Sequence, residues 1–190
     1  MGYGLPVIYD ACVLYSAYLR DILIQMATLD LFRAKWTQQI QDEWASNLIK
    51  NSSKVNAQKV QRLCELMNRA VPDAFVTGFE SMVESLSLPD PDDRHVLAAA
   101  IAANADSIVT LNVKDFPKSV LRSYDIEPQS PDEFISSWIN REPGQMIATL
   151  ETIRSRYKCP SVDFDGYMEI LLKQGLTILV ATVRQNLVAN

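Results

Sequence analysis

The chain has 190 residues, of which 48% are hydrophobic and 22% are charged, and its formal net charge is −5. This length and composition indicate a globular protein with one full domain and a smaller appendage. An acidic chain disfavours a protein that merely coats nucleic acid, because that task calls for an excess of Lys and Arg. A nuclease whose acidic residues bind cations is not excluded.

The sequence also bears on the compartment. No apolar run approaches the roughly 18 residues that a membrane span needs, and the N-terminus lacks the pattern of a signal peptide. We therefore expect no membrane association and a cytoplasmic location. The three cysteines, Cys12, Cys64 and Cys159, are odd in number and widely spaced. This spacing predicts small buried side chains rather than a disulfide framework or a zinc site.

Predicted strands and helices alternate along the first 130 residues. Strands are predicted at 7–10, 31–36, 74–78, 106–111 and 124–128, and helices at 19–30, 37–50, 52–70 and 94–105. Thr37 is the predicted N-cap of the second helix, either Ser52 or Ser53 caps the third, and Pro91 is the predicted first helical residue before the fourth. The alternation predicts an α/β fold of three α/β/α layers around a central parallel sheet of about five strands. In such sheets the functional crevice lies at the carboxyl ends of the strands.

The character of the sequence changes after about residue 130. Helix starts are predicted at Ser130-Pro131, Pro143 and Asp163, Gly175 would end the third of these helices, and residues 175–187 are predicted to form a fourth. We therefore divide the chain into a domain at 1–130 and a helical C-terminal extension at 131–190.

Two carboxylates in the first third of the chain are candidates for a functional site. Asp10 ends the first predicted strand, where it would face the crevice or cap the following helix. Glu43 shares one face of its predicted helix with Ile40 and Trp44. A carboxylate on a buried face is costly unless it is paired, hydrogen-bonded or bound to metal. The alternative is that Glu43 lies at the edge of this face and reaches solvent.

A second group of acids precedes the helix predicted at 94–105. Asp90, Asp92 and Asp93 could each cap a helix, but three acids in four positions exceed what one cap needs. Asp93 precedes Val96 and Leu97 of the sheet-facing stripe by three and four residues. We therefore expect Asp93 to point into the crevice and keep Asp92 as the second choice.

Asp115 follows the strand predicted at 106–111, with Thr110 and Asn112 near the strand end. Its alternative role is another helix cap. Asp115, together with Asp10, Glu43 and Asp93, would place four acids at one sheet edge. Their negative charges would repel one another unless cations are present. Mg²⁺ and Mn²⁺ prefer such oxygen ligands.

Four sequence runs, in this order and spacing, resemble PIN-domain proteins of the VapC-like toxin group that carry a helical C-terminal extension. The runs are VIYDACVLYS, W-T-x-x-I-x-x-E-W at 36–44, LPDPDDRHVLAAAI and IVTLNVKDFP. By this similarity Asp10, Glu43, Asp93 and Asp115 occupy the family's four acidic positions. Related proteins place the fourth acid at the equivalent of either Asn112 or Asp115, so Asn112 and Thr110 are auxiliary candidates, as is Asp92.

The resemblance implies a metal-dependent endoribonuclease. One or two Mg²⁺ or Mn²⁺ ions would be held mainly by Asp10, Asp93 and Asp115, while Glu43 would bind metal or orient the attacking water. The resemblance also implies an RNA substrate, a homodimer and an antitoxin that blocks the site. Two alternatives stay open: a PIN-domain nuclease in RNA maturation or acting on DNA with no antitoxin, and a catalytically inert nucleic-acid-binding module.

Basic residues near the predicted crevice are candidates for contacts with phosphate. These are Arg20, Arg94 and Lys114, for each of which a solvated surface position is the alternative. His95, the single histidine, is predicted to lie on the outer side of the Asp93 stripe, where it could not act as a general base.

Overall fold

The computed structural model describes residues 4–52, 55–158 and 160–188, so Ser53 and Cys159, named above, lie outside the described residues. Within these ranges four strands form one parallel sheet in the order β2-β1-β3-β4. The strands are β1 (Pro6–Tyr9), β2 (Arg33–Lys35), β3 (Ser107–Val109) and β4 (Glu127–Gln129). The chain crosses from one side of β1 to the other between β2 and β3. The carboxyl ends of β1 and β3 therefore flank the switch point in strand order, where α/β sheets place their ligands.

The sheet has one strand fewer than the five predicted. The segment predicted as a strand at 74–78 forms only an isolated bridge between Phe75 and Trp36. Two backbone hydrogen bonds hold it, from Trp36 N to the Ala74 carbonyl and from Val76 N to the Trp36 carbonyl. On one side of the bridge residues 71–74 form a turn, in which Ala74 N donates to the Val71 carbonyl, and on the other side Thr37 begins a helix, so the pairing extends in neither direction.

Helices pack on this sheet, as predicted for an α/β fold. They are α1 (Ala11–Tyr15), α2 (Ala17–Ala27), α3 (Gln38–Asn51), α4 (Ala57–Ala70), α5 (Arg94–Ala102) and α6 (Lys118–Leu121). Short 3-10 helices lie at Glu80–Ser85, Pro91–Asp93, Val113–Asp115 and Arg122–Tyr124. Helix α5 packs against both β1 and β3, and α2 packs against β2. The two central strands are buried along their whole length, which explains why their residues are apolar except for Ser107.

The capping predictions for these helices had different outcomes. Thr37 caps α3, as predicted, since its hydroxyl accepts a hydrogen bond from Ile40 N at 3.0 Å. The prediction that Ser52 or Ser53 caps the next helix is wrong. Helix α4 begins at Ala57, and the Asn56 side chain accepts from Lys59 N at 2.9 Å. Asn is as good a cap as Ser, and the local sequence offered both.

The C-terminal segment is helical, as predicted. It forms α7 (Pro131–Arg141), α8 (Pro143–Arg154), α9 (Phe164–Lys173) and α10 (Thr177–Val188). A capping box of Ser130 and Glu133 starts α7, Asp163 caps α9, and Gly175 follows α9 with φ of +82°. None of the described helices has the length and apolar character required to traverse a bilayer.

The helical extension packs on the sheet domain. The Phe134 ring of α7 meets the rings of Tyr9 and Phe32 edge to face, with centroid separations of 6.3 and 5.0 Å. Trp138 lies 5.5 Å from Phe32. These contacts join one apolar core across residue 130, and the division into two domains at that residue stays a prediction.

Candidate functional site

Asp10 and Thr110 meet at the switch point of the sheet. Tyr9 and Val109 are partners in the register of β1 and β3, so the residues that follow them are neighbours. The Thr110 hydroxyl donates a hydrogen bond to Asp10 Oδ2 at 2.6 Å, and both side chains are buried. The bond sets the orientation of the Asp10 carboxylate.

Cys12 adds a second support for Asp10. Its thiol donates to Asp10 Oδ2 at 3.1 Å and accepts from Leu111 N at 3.2 Å. Burial, followed by the charge of Asp10, raises the pKa of the Cys12 thiol to about 12. Cys12 is therefore a neutral hydrogen-bonding link between α1 and the loop after β3, and the prediction that it is merely a small buried side chain is incomplete.

Asp93 is half-buried where the Pro91–Asp93 turn leads into α5, and its Oδ2 has no hydrogen-bond partner among the described residues. Burial raises the pKa of this carboxyl to about 7. The negative charges of four other acids add to the rise, in the order Asp10, Asp90, Asp115 and Glu43. All four lie close enough to Asp93 to oppose its ionisation, so the region has an excess of negative charge.

The three acids before α5 take different roles. The Asp90 side chain accepts from Asp92 N at 2.9 Å and thereby caps the 3-10 helix Pro91–Asp93. Asp92 is exposed, whereas Asp93 is half-buried beside the other acids. Of the two candidates, Asp93 has the surroundings expected of a ligand, which is the reason that we keep it as the first choice.

Glu43 reaches solvent and also has a partner inside the protein, so both alternatives considered for it hold in part. Its side chain is 49% exposed, yet its Oε2 lies 3.6 Å from the Nε2 of His95. The imidazole is buried and its Nδ1 has no partner among the described residues. The prediction that His95 lies on the outer side of the Asp93 stripe is wrong. Residues 95–100 of α5 are buried all round, because the sheet covers one side of the helix and the Glu80–Ser85 segment covers another.

Asp115 and Asn112 lie in the loop after β3. Asp115 ends the 3-10 helix Val113–Asp115, and its carboxylate makes no hydrogen bond or ion pair within the described part of the chain. Its side chain is thus not a cap; α6 begins after Pro117. Asn112 is exposed, and its backbone N–H donates to the Thr110 hydroxyl at 3.0 Å. Both residues are available as the fourth ligand.

The three basic candidates differ in availability. Arg20 is buried and donates to the Leu14 and Tyr15 carbonyls at 2.6 and 3.2 Å, with its guanidinium 5.1 Å from the Trp44 ring centroid. These contacts assign Arg20 a structural role, and we propose no phosphate contact for it. Arg94 donates to the Pro91 carbonyl and lies 3.6 Å from Glu84. Lys114 is exposed and adjacent to Asp115, so it is the best placed of the three.

The chemistry of this cluster fits a hard divalent cation. Its donors are carboxylate oxygens, and the unpartnered, buried Oδ2 of Asp93 needs a positive partner when it ionises. Within residues 4–52, 55–158 and 160–188, no three His, Cys, Asp or Glu side chains are close enough together to form a finished metal site. The oxygen donors are of the type that a divalent cation prefers, and binding of the cation would require the carboxylates to move closer to one another.

Sequence reasoning missed two residues of this region, Cys12 and His95. Cys12 is two residues after Asp10, a spacing that could have indicated contact at the strand end. His95 gave no comparable signal, because its contact with Glu43 joins two helices that are far apart in sequence.

The fold and the site define a class of protein, a parallel α/β domain with acids gathered near the carboxyl ends of its central strands. Comparison with known families narrows this class. The PIN-domain model matches residues 6–114, which is just over half of the chain, and the model described as VapC50 C-terminal domain matches residues 131–185. The chain therefore belongs to the PIN-domain family, and its C-terminal part is VapC50-like.

One curated relative shares part of the sequence. It is a protein of Mycobacterium tuberculosis named "Putative ribonuclease VapC50", which is 40% identical over 62 residues. The aligned region is 33% of this chain and 36% of that relative, so the chain matches about a third of the relative's length. No solved structure gives a significant match.

Proposed function

We propose that the protein is a divalent-metal-dependent endoribonuclease and the toxin of a toxin–antitoxin pair. Three observations support the proposal: the PIN-domain match, the VapC50-like C-terminal region, and the similarity to a relative that is named as a ribonuclease. The acids at the switch point of the sheet supply the chemistry that such an activity needs.

The single observation that carries the proposal is the state of Asp93. A half-buried carboxylate with an unpartnered oxygen and a pKa near 7, surrounded by four further acids, is costly to ionise on its own. Perturbed groups of this kind cluster at functional sites. A divalent cation between the carboxylates would offset the cost and convert the cluster into a catalytic centre.

The proposed roles follow from the contacts. Asp10, Asp93 and Asp115 hold the metal, with Asn112 as a neutral alternative to Asp115. When bound by these residues, Mg²⁺ or Mn²⁺ would supply the Lewis acidity needed to activate water and to neutralise charge at the scissile phosphate. Thr110 and Cys12 hold the Asp10 carboxylate in place, and Glu43, supported by His95, binds metal or orients the attacking water. Lys114 is the proposed phosphate contact.

The proposed partners are an RNA substrate, a second copy of the chain in a homodimer, and an antitoxin that blocks the acidic site. The proposed location is the cytoplasm, where an active ribonuclease must be restrained. An antitoxin Arg or Lys could neutralise the acids in place of metal.

The test is to incubate the purified protein with total cellular RNA, with Mg²⁺, with Mn²⁺, or with a chelator, and to map the cut ends. We expect discrete internal cuts with either metal and none with the chelator. Cleavage of DNA alone would favour the DNA-directed alternative. Binding without cleavage under every condition would favour the inert module. Suppression of the activity by a small DNA-binding protein encoded next to the gene would support the antitoxin, and failure of such a protein to bind would oppose it.

A further inference from the structure

A groove extends from the acidic site along helix α3. It has a volume of about 450 Å³, and its lining includes Cys12, Tyr15, Glu43, Trp44, Asn47 and Asn51. Because Cys12 contacts Asp10 and Glu43 is itself one of the candidate acids, the groove adjoins the candidate metal site. A polymer bound with one phosphate at the carboxylates would place an adjacent part of itself in this groove.

The groove offers amide groups that the protein itself does not use. Asn47 and Asn51 are one helical turn apart, so their side chains lie on the same face of α3. Both are exposed, and neither amide has a hydrogen-bond partner within the described residues. Each amide presents a donor beside an acceptor. This pair of complementary groups matches the edge of a nucleobase.

An aromatic side chain lies in the same groove. Tyr15, the last residue of α1, is 37% exposed; Phe75 and Tyr124 are at least as exposed, but neither lines this groove. An exposed ring beside polar edge-reading groups is the usual platform on which single-stranded nucleic acids stack a base.

The charge of the groove argues against a phosphate as the occupant. Among the described residues that line it, Glu43 carries the only charge, and that charge is negative. A phosphate would be repelled, whereas a neutral planar group would not. Glu43 also favours a ligand with an exocyclic amino group, because a carboxylate accepts hydrogen bonds and cannot donate them.

We propose that this groove is a base-binding subsite that determines where the proposed nuclease cuts RNA. Tyr15 stacks on an unpaired base next to the scissile phosphate, and Asn47 and Asn51 read its edge. The pairing of Asn with the amino group and ring nitrogen of adenine, together with Glu43, favours adenine over uracil. The inference rests on the proposed function for its substrate class, and its own content is the base preference.

The first experiment measures that preference in cleavage. A short RNA library with randomised bases is cut in Mn²⁺ and the products are sequenced. Wild type should prefer adenine over uracil by about tenfold at one position beside the cut, which corresponds to one good bidentate contact. The double variant Asn47→Ala/Asn51→Ala should lose that preference. Gln38→Ala, which removes an exposed amide outside the groove from the same helix, should keep it.

Tyr15 supplies a separate test. Tyr15→Ala should lower cleavage of all substrates by about tenfold, because stacking is tolerant of base identity, and Tyr15→Phe should restore it. Equal losses in Tyr15→Ala and Tyr15→Phe would contradict stacking. Because Asn47 and Asn51 are exposed, the thermal unfolding curve of the double variant should coincide with that of wild type.

A binding measurement separates failure of this proposal from failure of the proposed function. Fluorescence anisotropy of labelled oligoadenylate and oligouridylate is measured on the Asp93→Asn protein, with and without the Asn47→Ala/Asn51→Ala changes. If wild type does not cleave but adenine is still preferred in binding through the two amides, the ribonuclease assignment fails and the subsite stands. If cleavage proceeds with the same base preference in the double variant, the subsite is wrong. Absence of both cleavage and base preference would overturn both proposals.

Discussion

Two adjacent acids show how strongly the surroundings of a single residue decide its role. Asp92 is exposed to solvent, whereas Asp93 is half-buried beside the other acids of the cluster. The raised pKa of Asp93 means that its charge is disfavoured until a cation is present. Substitutions at these two positions should therefore have different effects.

The first prediction concerns activity. Asp93→Asn should lower the rate of metal-dependent RNA cleavage by about a hundredfold or more, because a neutral amide is a poor substitute for an anionic metal ligand. Asp92→Asn should retain most of the rate and serves as the matched control. Initial rates in saturating Mn²⁺ test both. Equal losses would show that the choice of Asp93 over Asp92 is wrong.

The second prediction concerns the pH dependence of stability without metal. The pKa of Asp93 is about 7 in the folded chain and about 4 when unfolded, so the folded state binds the proton more tightly. The free energy of unfolding should therefore fall as pH rises from about 4 to about 7 and not change further through this group. The Asp93→Asn variant has no ionisable group at this position, so it should not lose stability in this way as the pH rises.

Urea unfolding in the presence of a chelator measures the difference in the free energy of unfolding between wild type and Asp93→Asn. The Asp93→Asn variant should be more stable than wild type at pH 8, and the two should converge only below about pH 4, where Asp93 is protonated in both the folded and the unfolded chain. Added Mn²⁺ should stabilise wild type at pH 8 and the variant much less. A stability difference that does not change with pH would contradict the assigned pKa.

The third prediction concerns the support of Asp10. Thr110→Val keeps the shape of the buried side chain but removes the hydroxyl that donates to Asp10 Oδ2. Groups that orient a metal ligand affect metal affinity or activity by about 10- to 100-fold when removed. We expect a loss of this size in the Mn²⁺ concentration dependence of cleavage and recovery in Thr110→Ser. A Thr110→Val protein with unchanged metal dependence would show that Asp10 needs no such support.

At the scale of whole elements, one buried carboxylate ties the first helix of the extension to the last. Asp132, in the first turn of α7, accepts hydrogen bonds from Ile178 N and Leu179 N, both at 2.8 Å, and from the Thr177 hydroxyl at 3.2 Å. Asp132 therefore caps α10, although it precedes Thr177 by 45 residues in the sequence. The contact satisfies N–H groups that have no partner inside α10 and places an anion at its positive end.

The fourth prediction follows from this cap. Asp132→Ala should lower the free energy of unfolding by about 2–3 kcal/mol, because it leaves buried N–H groups without a partner. Asp163→Ala is the matched control, since Asp163 caps α9 at an exposed site and should cost only about 1 kcal/mol. Urea denaturation measures both. Equal costs would mean that water replaces Asp132 at the start of α10.

The whole molecule depends on contacts that cross residue 130. The rings of Phe134 and Trp138 cover Phe32, and Phe134 also meets the fully buried Tyr9 of β1. Farther along, Tyr157 stacks on Tyr18 of α2 with centroids 5.8 Å apart. The sheet domain therefore lacks a complete core without the extension.

The fifth prediction tests this dependence. A chain truncated after residue 130 should expose the apolar surface around Tyr9 and Phe32 and aggregate. Gel filtration and binding of a hydrophobic dye measure the outcome, with the full chain as control. A soluble, monomeric and active truncation product would show instead that the sheet domain folds independently.

Features with a local cause were predictable from the sequence. The alternation of strand and helix, the caps at Thr37 and Ser130, and the placement of Asp10 at a strand end depend on residues close together in the chain. Local hydrogen bonds and hydrophobic periodicity decide such features, so a sequence contains the information directly. The excess of acids in 90–93 was visible for the same reason.

Features that depend on distant partners were decided only by the tertiary structure. The predicted strand at 74–78 is a single bridge because the pairing is limited by the turn at residues 71–74 and by Thr37, which begins α3 directly after Trp36. His95 is buried against Glu43, and Cys12 bonds to Asp10 and to the loop after β3, because packing brings separate elements together. The sequence by itself determined most of the elements and the acids that they carry. The tertiary structure decided which acid is desolvated, because burial and the field of neighbouring charges depend on every element that surrounds the site.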